Sequence, residues 1–516
     1  MSIDALKSRV EPIAERIDQG YSDDPNIYQK RKKIRGAVWG FHYLEPPFLT
    51  ILDSPFMQRL RYIRQTAFAH NTYVSANHHR FEHSLGVFTA TKQMLDALEY
   101  NCNITVEEPY RTETKLAALI HDIGHGPFSH ASEEVYGRAP VFSQISDRRF
   151  DDSVPSEELA YCLIKSNPFQ SLLDSFERQC DADNISDKRI SDMILGNEDG
   201  LPEDYQFLRF VINGPFDADK FDYVNRDGFF TDLDISLDTD RLLHGLELSD
   251  DRKRVIIDSG SLSALEQVYI GKSQLYSQVY HHQKVRAAAA LVHRLFVRLQ
   301  SLEREPIDGH SFKDPETYLA LEDPDILSQN WEDKQASEYQ RKLKNRELPK
   351  RALVLTYPCF PDVRSDTLSS QEYDITYNWS ELRKDLRSNF GYLRSEERTI
   401  MGKSPGESAN VVIDIPGEPP GAYDQDRPLI QLGKENGNVI EMNKVFPAES
   451  WANAYEAYRS RSYIFCDQNN SNIANVTEGA LSWLDSHGIR VTPLAVREAK
   501  VSPKDLNWDK FINKQS

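Results

Sequence analysis

LAALIHDIGHGPFSHASEE, residues 116–134, sets an apolar helical run directly against a polar, glycine-bearing turn. Leu116, Leu119 and Ile120 recur at helical spacing, so the run predicts a helix with one buried face. That helix delivers His121 and Asp122 side by side, and Gly124, Gly126 and Pro127 then end it and turn the chain. An adjacent imidazole and carboxylate at a helix end can share one cation. A lone His-Asp pair carries little weight in a long chain, but His125 and His130 follow within nine residues, which makes chance a poor account. Mixed nitrogen and oxygen donors suit a borderline transition metal (Mn, Fe, Co or Zn) better than Mg alone.

Working outward, RFEHSLGVFTATKQML at 80–95 carries Arg80, Glu82 and His83 on the first turn of a segment whose Leu85, Phe88, Leu95 and Leu98 want burial. His83 is the candidate second imidazole, and Glu82 reads as a helix N-terminal charge. FDADKFDYVNRD at 216–227 supplies a further carboxylate: Asp219, Tyr223 and Asp227 fall at i, i+4 and i+8 and share a face. Asp217 and Asp222 fall elsewhere and read as solvated or capping. His130 and Glu133 stand at i, i+3, a spacing that lets a carboxylate orient an imidazole. Taken singly each residue has a bland reading, because a histidine on an amphipathic helix is more often a hydrogen-bonded boundary residue than a ligand. Four ligand-type residues in separate motifs overturn that reading.

Composition frames the chemistry. The chain has 516 residues, 39% apolar and 27% charged, with a net charge of −19. Phosphate backbones and acidic membranes would be repelled, so general nucleic-acid binding is not expected, although a local pocket can still hold a small polyanion. Five scattered cysteines without metal spacing and an N-terminus without an apolar core segment fit a reduced, cytoplasmic protein. No window is long and apolar enough to span a membrane.

The expected fold is mainly α, a helical core with a C-terminal α+β region. Residues 1–35 read as a polar lead-in closing on the basic KRKKIRG, residues 36–350 as the core, and 351–516 as the α+β region. Candidate helices are 56–66, 82–99, 112–122, 156–165, 203–212, 217–227 and one long helix at 261–300, with Ser263 and Glu266 at capping-box spacing near its start. RALVLTYPCF, ANVVIDIPG and YIFCD read as strands, GEPPGAYDQDRP as a loop, and 475–487 as a closing helix.

His83, His121–Asp122 and Asp219 together form the H…HD…D signature of the HD-domain metal-dependent phosphohydrolases. FMQRLRYIRQ, RFEHSLGV, HDIGHGPFSH and DADKFDYVNRD closely resemble the dNTP triphosphohydrolase branch, in consistent order from about residue 35 to 355. VVIDIP at 411–416 also resembles the C-terminal region of bacterial members. The resemblance implies an HD-domain helical core and cleavage of dNTP to deoxynucleoside and triphosphate, by attack of metal-activated water at the α-phosphorus.

It also implies roles by position. His83, His121, Asp122 and Asp219 are the metal ligands, and Arg80, Lys220 and Lys272 hold phosphates, with Mg an option there. His130 backed by Glu133 is general acid/base, and His125 contacts the α-phosphate or attacking water. Tyr223, Asp227 and Gln65 face the deoxyribose. Lys272, Tyr276 and Tyr280 recur at i, i+4 and i+8 for phosphate and base contacts, and His282 and Arg286 continue that helix. Homo-oligomers (dimer, tetramer or hexamer) and a nucleotide effector between subunits are implied, with 30–33 a candidate contact, and dNTP depletion in phage infection is the analogous role.

Two departures stand out. Thr66 replaces an apolar residue that crowds out a 2′-hydroxyl, and Ser156–Glu157 stand where some relatives place a histidine before a glutamate. The rival readings are an HD-type phosphodiesterase for cyclic or oligonucleotides and a non-catalytic nucleotide-binding protein. Against the first, His125 stands where those enzymes commonly have lysine; against the second, no ligand is lost.

Overall fold

Helix Arg80–Cys102 packs against several helices, Leu208–Ile212 and Thr239–His244 among them. Its N-terminus is closed by Glu82, whose Oε2 accepts the His79 backbone N–H at 2.5 Å, and it ends at Asn103 in the left-handed region. Helices Tyr110–Ile120 and Ala218–Thr231 pack along it. The computed structural model describes residues 3–21, 28–356 (except 152, 181 and 183), 359, 381–405, 410–416, 429–432, 438–444, 461–466, 470–492, 495 and 510–511. The loop expected at GEPPGAYDQDRP lies outside them.

The described residues fall into two compact units, one drawn from Met1–Leu275, Val292–Gln340 and Ala422–Ala448, the other from Tyr276–Leu291, Arg341–Gly421 and Glu449–Ser516. In the first, Tyr110–Ile120 buries its entire final turn, Leu116 to Ile120. The helix stops there because the next turn must pass close to helix Pro155–Ile164. A Cβ on Gly124 would lie 1.9 Å from the Ser156 carbonyl oxygen and 2.5 Å from the Ala160 nitrogen, so only glycine fits.

The lead-in is not simply polar. Ile3–Ile17 is an amphipathic helix that buries Ile3, Leu6, Val10, Ile13 and Ala14. Arg9 ties it to the same unit through Glu316 at 2.7 Å and Asp314 at 2.6 Å. The basic run opens a hairpin, Lys32–Gly36 antiparallel to Gly40–Leu44. A four-stranded sheet takes Leu246–Leu248, Val255–Asp258, Leu429–Leu432 and Asn438–Glu441 in that order.

The expected single helix at 261–300 is broken. Helix Leu262–Leu275 ends in a π turn at Tyr276–Tyr280, where the His281 N–H reaches back five residues to the Tyr276 carbonyl at 2.9 Å, and a new helix begins at Gln283. Ser263 lies inside the helix rather than capping it, because Ser259–Ser261 already forms a 3₁₀ turn capped by Asp258.

In the second unit, Ser462–Cys466 is a fully buried central strand, antiparallel to both Lys350–Leu355 and Val411–Asp414. Helices Phe390–Lys403 and Asn470–Ser486 pack on each other and on this sheet. Leu353, Ile413, Ile464, Val476 and Trp483 belong to one buried hydrophobic core. Arg286 is held on Asp414 by two bonds of 2.9 and 2.7 Å, and Tyr463 donates its hydroxyl to the His281 carbonyl at 2.9 Å. The molecule is thus mainly α with small sheets. No helix among the described residues is long and apolar enough to cross a membrane.

Candidate active site

The first turn of helix Arg80–Cys102, the turn after Tyr110–Ile120, and the start of helix Ala218–Thr231 bring four donors together. His83 Nε2 lies 3.0 Å from Asp219 Oδ1 and 3.7 Å from Asp122 Oδ2. His121 Nε2 lies 3.4 Å from Asp122 Oδ1 and 3.9 Å from Asp219 Oδ1. The His121 ring is oriented by its other nitrogen, which donates to the Ala118 carbonyl at 2.9 Å, and its Nε2 is buried without a partner. Two imidazole nitrogens and two carboxylates converging with an orphaned ring nitrogen fit a divalent metal with mixed donors. No feature of the donor set selects one metal.

Charge is arranged to match. Burial opposes ionisation of Asp122, but Arg80 and the surrounding imidazoles hold its carboxyl well below the usual range. Asp219 is only part-buried; desolvation opposes its charge too, yet the hydrogen bond from His83 brings it to about 2. Burial lowers the His83 imidazole, but hydrogen bonds to Asp219 and Asp222 outweigh it and raise the group to about 10. Arg80, 2% exposed, donates to Asp122 Oδ2 at 2.7 Å and to Ser129 Oγ at 2.8 Å, leaving its buried Nη2 without a partner. Arg59 braces the turn between the ligands, donating to the Ile123 carbonyl at 3.0 Å and the His125 carbonyl at 2.7 Å.

Beside this cradle stands a second constellation. His125 Nε2 is 3.4 Å from Asp122 Oδ1, and its ring meets that of His130 edge-on with centroids 5.0 Å apart. Burial, then Arg80, keep the His125 imidazole well below its ordinary value, hence neutral. His130 Nδ1 pairs with Glu133 Oε2 at 2.7 Å, and the Ser156 backbone N–H donates to Glu133 Oε1 at 3.0 Å. Burial works against the Glu133 charge, but His130 holds it far below the usual carboxylate range. The neighbouring Glu157 goes the other way. Burial, with added repulsion from Glu133 and Asp219, pushes it up to about 8 against a hydrogen bond from the Val154 N–H.

The expected substrate contacts are only partly brought together. Gln65 Oε1 and Thr66 Oγ1 are buried without partners, and the Gln65 N–H bonds the His78 carbonyl at 3.1 Å. Asp227 receives His78 Nε2 at 2.7 Å, and Tyr223 lies one turn before it. Lys220 Nζ is committed to Asp217 at 2.7 Å and to the Gly214 carbonyl at 2.8 Å. Lys272 is buried on helix Leu262–Leu275. Tyr276, Tyr280 and His282 belong to the other unit, and the π turn breaks the i, i+4, i+8 series expected of Lys272, Tyr276 and Tyr280, because that spacing shares a face only in a continuous α-helix.

Asp217 caps helix Ala218–Thr231, one of the two roles expected of it, from a buried position. Asp222 differs from expectation. Asp222 is fully buried and bonds His83 Nδ1 at 2.7 Å. It and its partners Arg226 and Trp39, together with His78, Arg59 and Ser129, were not singled out by motif. The spacing of Asp222 and Arg226, i and i+4, was the available signal.

An HD domain is matched over residues 80–187 and an HD associated region over 237–427. An uncharacterized protein of Methanocaldococcus jannaschii is 29% identical over 277 residues, 52% of this chain and 49% of that protein. The human deoxynucleoside triphosphate triphosphohydrolase SAMHD1 is 27% identical over 265 residues, 49% of this chain and 42% of that protein. The chain thus spans about half the length of the curated relatives it matches. A hypothetical protein from Aquifex aeolicus, solved by crystallography, matches with a TM-score of 0.60 and 24% identity over 87% of this chain and 100% of that one. That likeness speaks for the fold alone.

Proposed function

For a chain that belongs to the HD-domain superfamily, on the side of its dNTP triphosphohydrolases, we propose hydrolysis of a dNTP to deoxynucleoside and triphosphate. The observation that carries this reading is the convergence of His83, His121, Asp122 and Asp219 with Arg80 and the His125/His130/Glu133 group on one flank. A divalent metal held by those four residues would polarise a phosphoryl oxygen and lower the pKa of water.

The remaining work falls to the chain's own side chains. Arg80, anchored on Asp122 and Ser129 with one donor still unpartnered, meets charge that accumulates on phosphoryl oxygens. Lys220 would leave Asp217 to do the same, and Lys272 is the third cation. Water oxygen bonds to the α-phosphorus, the bond from that phosphorus to O5′ breaks, and His130 delivers the proton to O5′ while Glu133 stabilises the imidazolium. Neutral His125, between Asp122 and His130, orients the attacking water or an α-phosphoryl oxygen. Gln65, Thr66, Tyr223 and Asp227 take the sugar. Thr66, with a hydroxyl in place of an apolar side chain, weakens rejection of ribonucleotides.

In the same reading the protein acts as a cytoplasmic homo-oligomer, and the basic residues 30–33 contact a nucleotide effector. The exposed, cation-rich strand Lys32–Gly36 supports that assignment. The test is incubation of protein reconstituted with Mn²⁺, Co²⁺ or Zn²⁺ with each dNTP and NTP, and chromatography for nucleoside and triphosphate. Silence against every nucleotide, with and without a second nucleotide as activator, rejects the reading. Cleavage confined to cyclic or oligonucleotide diesters replaces it with a phosphodiesterase.

A further inference from the structure

We propose that Asp222 is a positioning residue that fixes the cation-binding face of His83. The inference rests on His83 serving as a cation ligand. Asp219 and Asp222 lie three residues apart on helix Ala218–Thr231 and grip the two nitrogens of a single ring. Asp219 Oδ1 is 3.0 Å from His83 Nε2, and Asp222 Oδ2 is 2.7 Å from Nδ1. A carboxylate only accepts, so Nδ1 carries the hydrogen. In the neutral ring the lone pair then sits on Nε2, the atom that faces Asp219 and Asp122.

Asp222 is itself held on every side. Arg226 donates from Nε to Oδ2 at 2.7 Å and from Nη2 to Oδ1 at 2.8 Å, and Trp39 Nε1 donates to Oδ1 at 2.5 Å. Room for this arrangement comes from Gly86, three residues after His83: a Cβ there would fall 1.7 Å from Asp222 Oδ1 and 2.5 Å from Arg226 Nη2. Asp222, Arg226 and His83 are all at most 1% exposed. A stabilising ion pair needs only Asp222 and Arg226. The third bond, to a ring whose far nitrogen points into the cradle, is what a purely structural pair would not require. Carboxylates behind metal-binding histidines fix tautomer and ring orientation and commonly matter 10–100-fold in metal affinity.

The experiment titrates Co²⁺ into metal-free full-length protein without nucleotide, followed by visible absorption, with melting of the metal-free protein measured alongside. Asp222→Asn is expected to bind Co²⁺ roughly 10–100-fold more weakly and with altered bands. Trp39→Phe, which removes one donor from Oδ1, is expected to give a smaller loss in the same direction, and it alone decides if Asp222→Asn does not fold. Co²⁺ affinity within about twofold of wild type in the folded variants overturns the inference, whatever happens to their melting. A protein that loses Co²⁺ affinity as expected yet cleaves no dNTP leaves Asp222 in its role and overturns the proposed function instead.

Discussion

The cation cradle and the His130–Glu133 pair are neighbours mounted in opposite ways. In the cradle, His83, His121 and Asp122 each have a second bond behind them: His83 from Asp222, His121 from the Ala118 carbonyl, Asp122 from Arg80. His83 and Asp122 are buried and His121 is part-buried, with His83 only 1% exposed. The His130 side chain is 71% exposed and opens a seven-residue helix. The two residues before it, Phe128 and Ser129, have φ of 61° and 53°, a region that costs non-glycine residues on the order of 1–3 kcal/mol. Ser129 is kept there by its hydroxyl, which accepts from Arg80 and donates to the Arg64 carbonyl at 2.6 Å. These three proposed cation ligands are immobilised from behind. The residue proposed to pass a proton is left at the surface on a turn held in strain, with one carboxylate to steer it.

That contrast can be broken by substitution. The largest effect is expected for His121→Ala, which removes a ligand: bound metal, read by elemental analysis, and turnover should fall together to background. Turnover without metal would mean that the cradle is not the centre. His130→Ala should cost about 10²–10⁴-fold in kcat, the usual range for a general acid or base, with metal content unchanged. Loss of metal in that variant would erase the distinction between the two regions. Glu133→Gln should cost less, on the order of tenfold in kcat, because it acts through His130.

The smallest effect concerns stability. Glu157 has an ordinary value of 4.5 and is raised to about 8 in the fold, chiefly by burial. Below the lower value both folded and unfolded chains hold the proton. As pH rises the unfolded chain ionises first, so stability drains until the folded pKa is passed. Glu157→Gln should therefore leave stability unchanged near pH 4 and raise it by roughly 1–3 kcal/mol near pH 9. Equal denaturation midpoints for variant and wild type at the higher pH would show that Glu157 ionises freely in the fold.

Much of the cradle was legible because its chemistry is written in local text: His121 beside Asp122, His83 on the first turn of an apolar helix, Asp219 on a third. What was not legible depends on long-range partners. Asp222 falls outside the i, i+4, i+8 series of Asp219, Tyr223 and Asp227, so that series left it as solvated or capping, although i, i+3 sets it on the Asp219 side of the helix. Its partner, His83, stands 139 residues upstream. The π turn at Tyr276–Tyr280 was hidden because strong helix formers resume at Gln283–Ser301 and mask a local break. Strand runs such as Lys350–Leu355 and Ser462–Cys466 were readable from their β-branched and aromatic residues. The parallel pairing of Ile257 with Ile430 was not, since nothing local to either residue specifies it. The lead-in helix was readable in part: Leu6, Val10 and Ile13 carry the spacing, but the surrounding charges concealed a buried face.

The central claim, that water attacks the α-phosphorus and releases the whole triphosphate, is tested most directly by one turnover experiment in H₂¹⁸O with dGTP and its three counterparts, read by ³¹P NMR and mass spectrometry. The account predicts deoxynucleoside and tripolyphosphate in equal amounts, with the label on the terminal phosphoryl group of the tripolyphosphate and none in the nucleoside. Label in the deoxynucleoside, or formation of monophosphate and pyrophosphate instead, would contradict it.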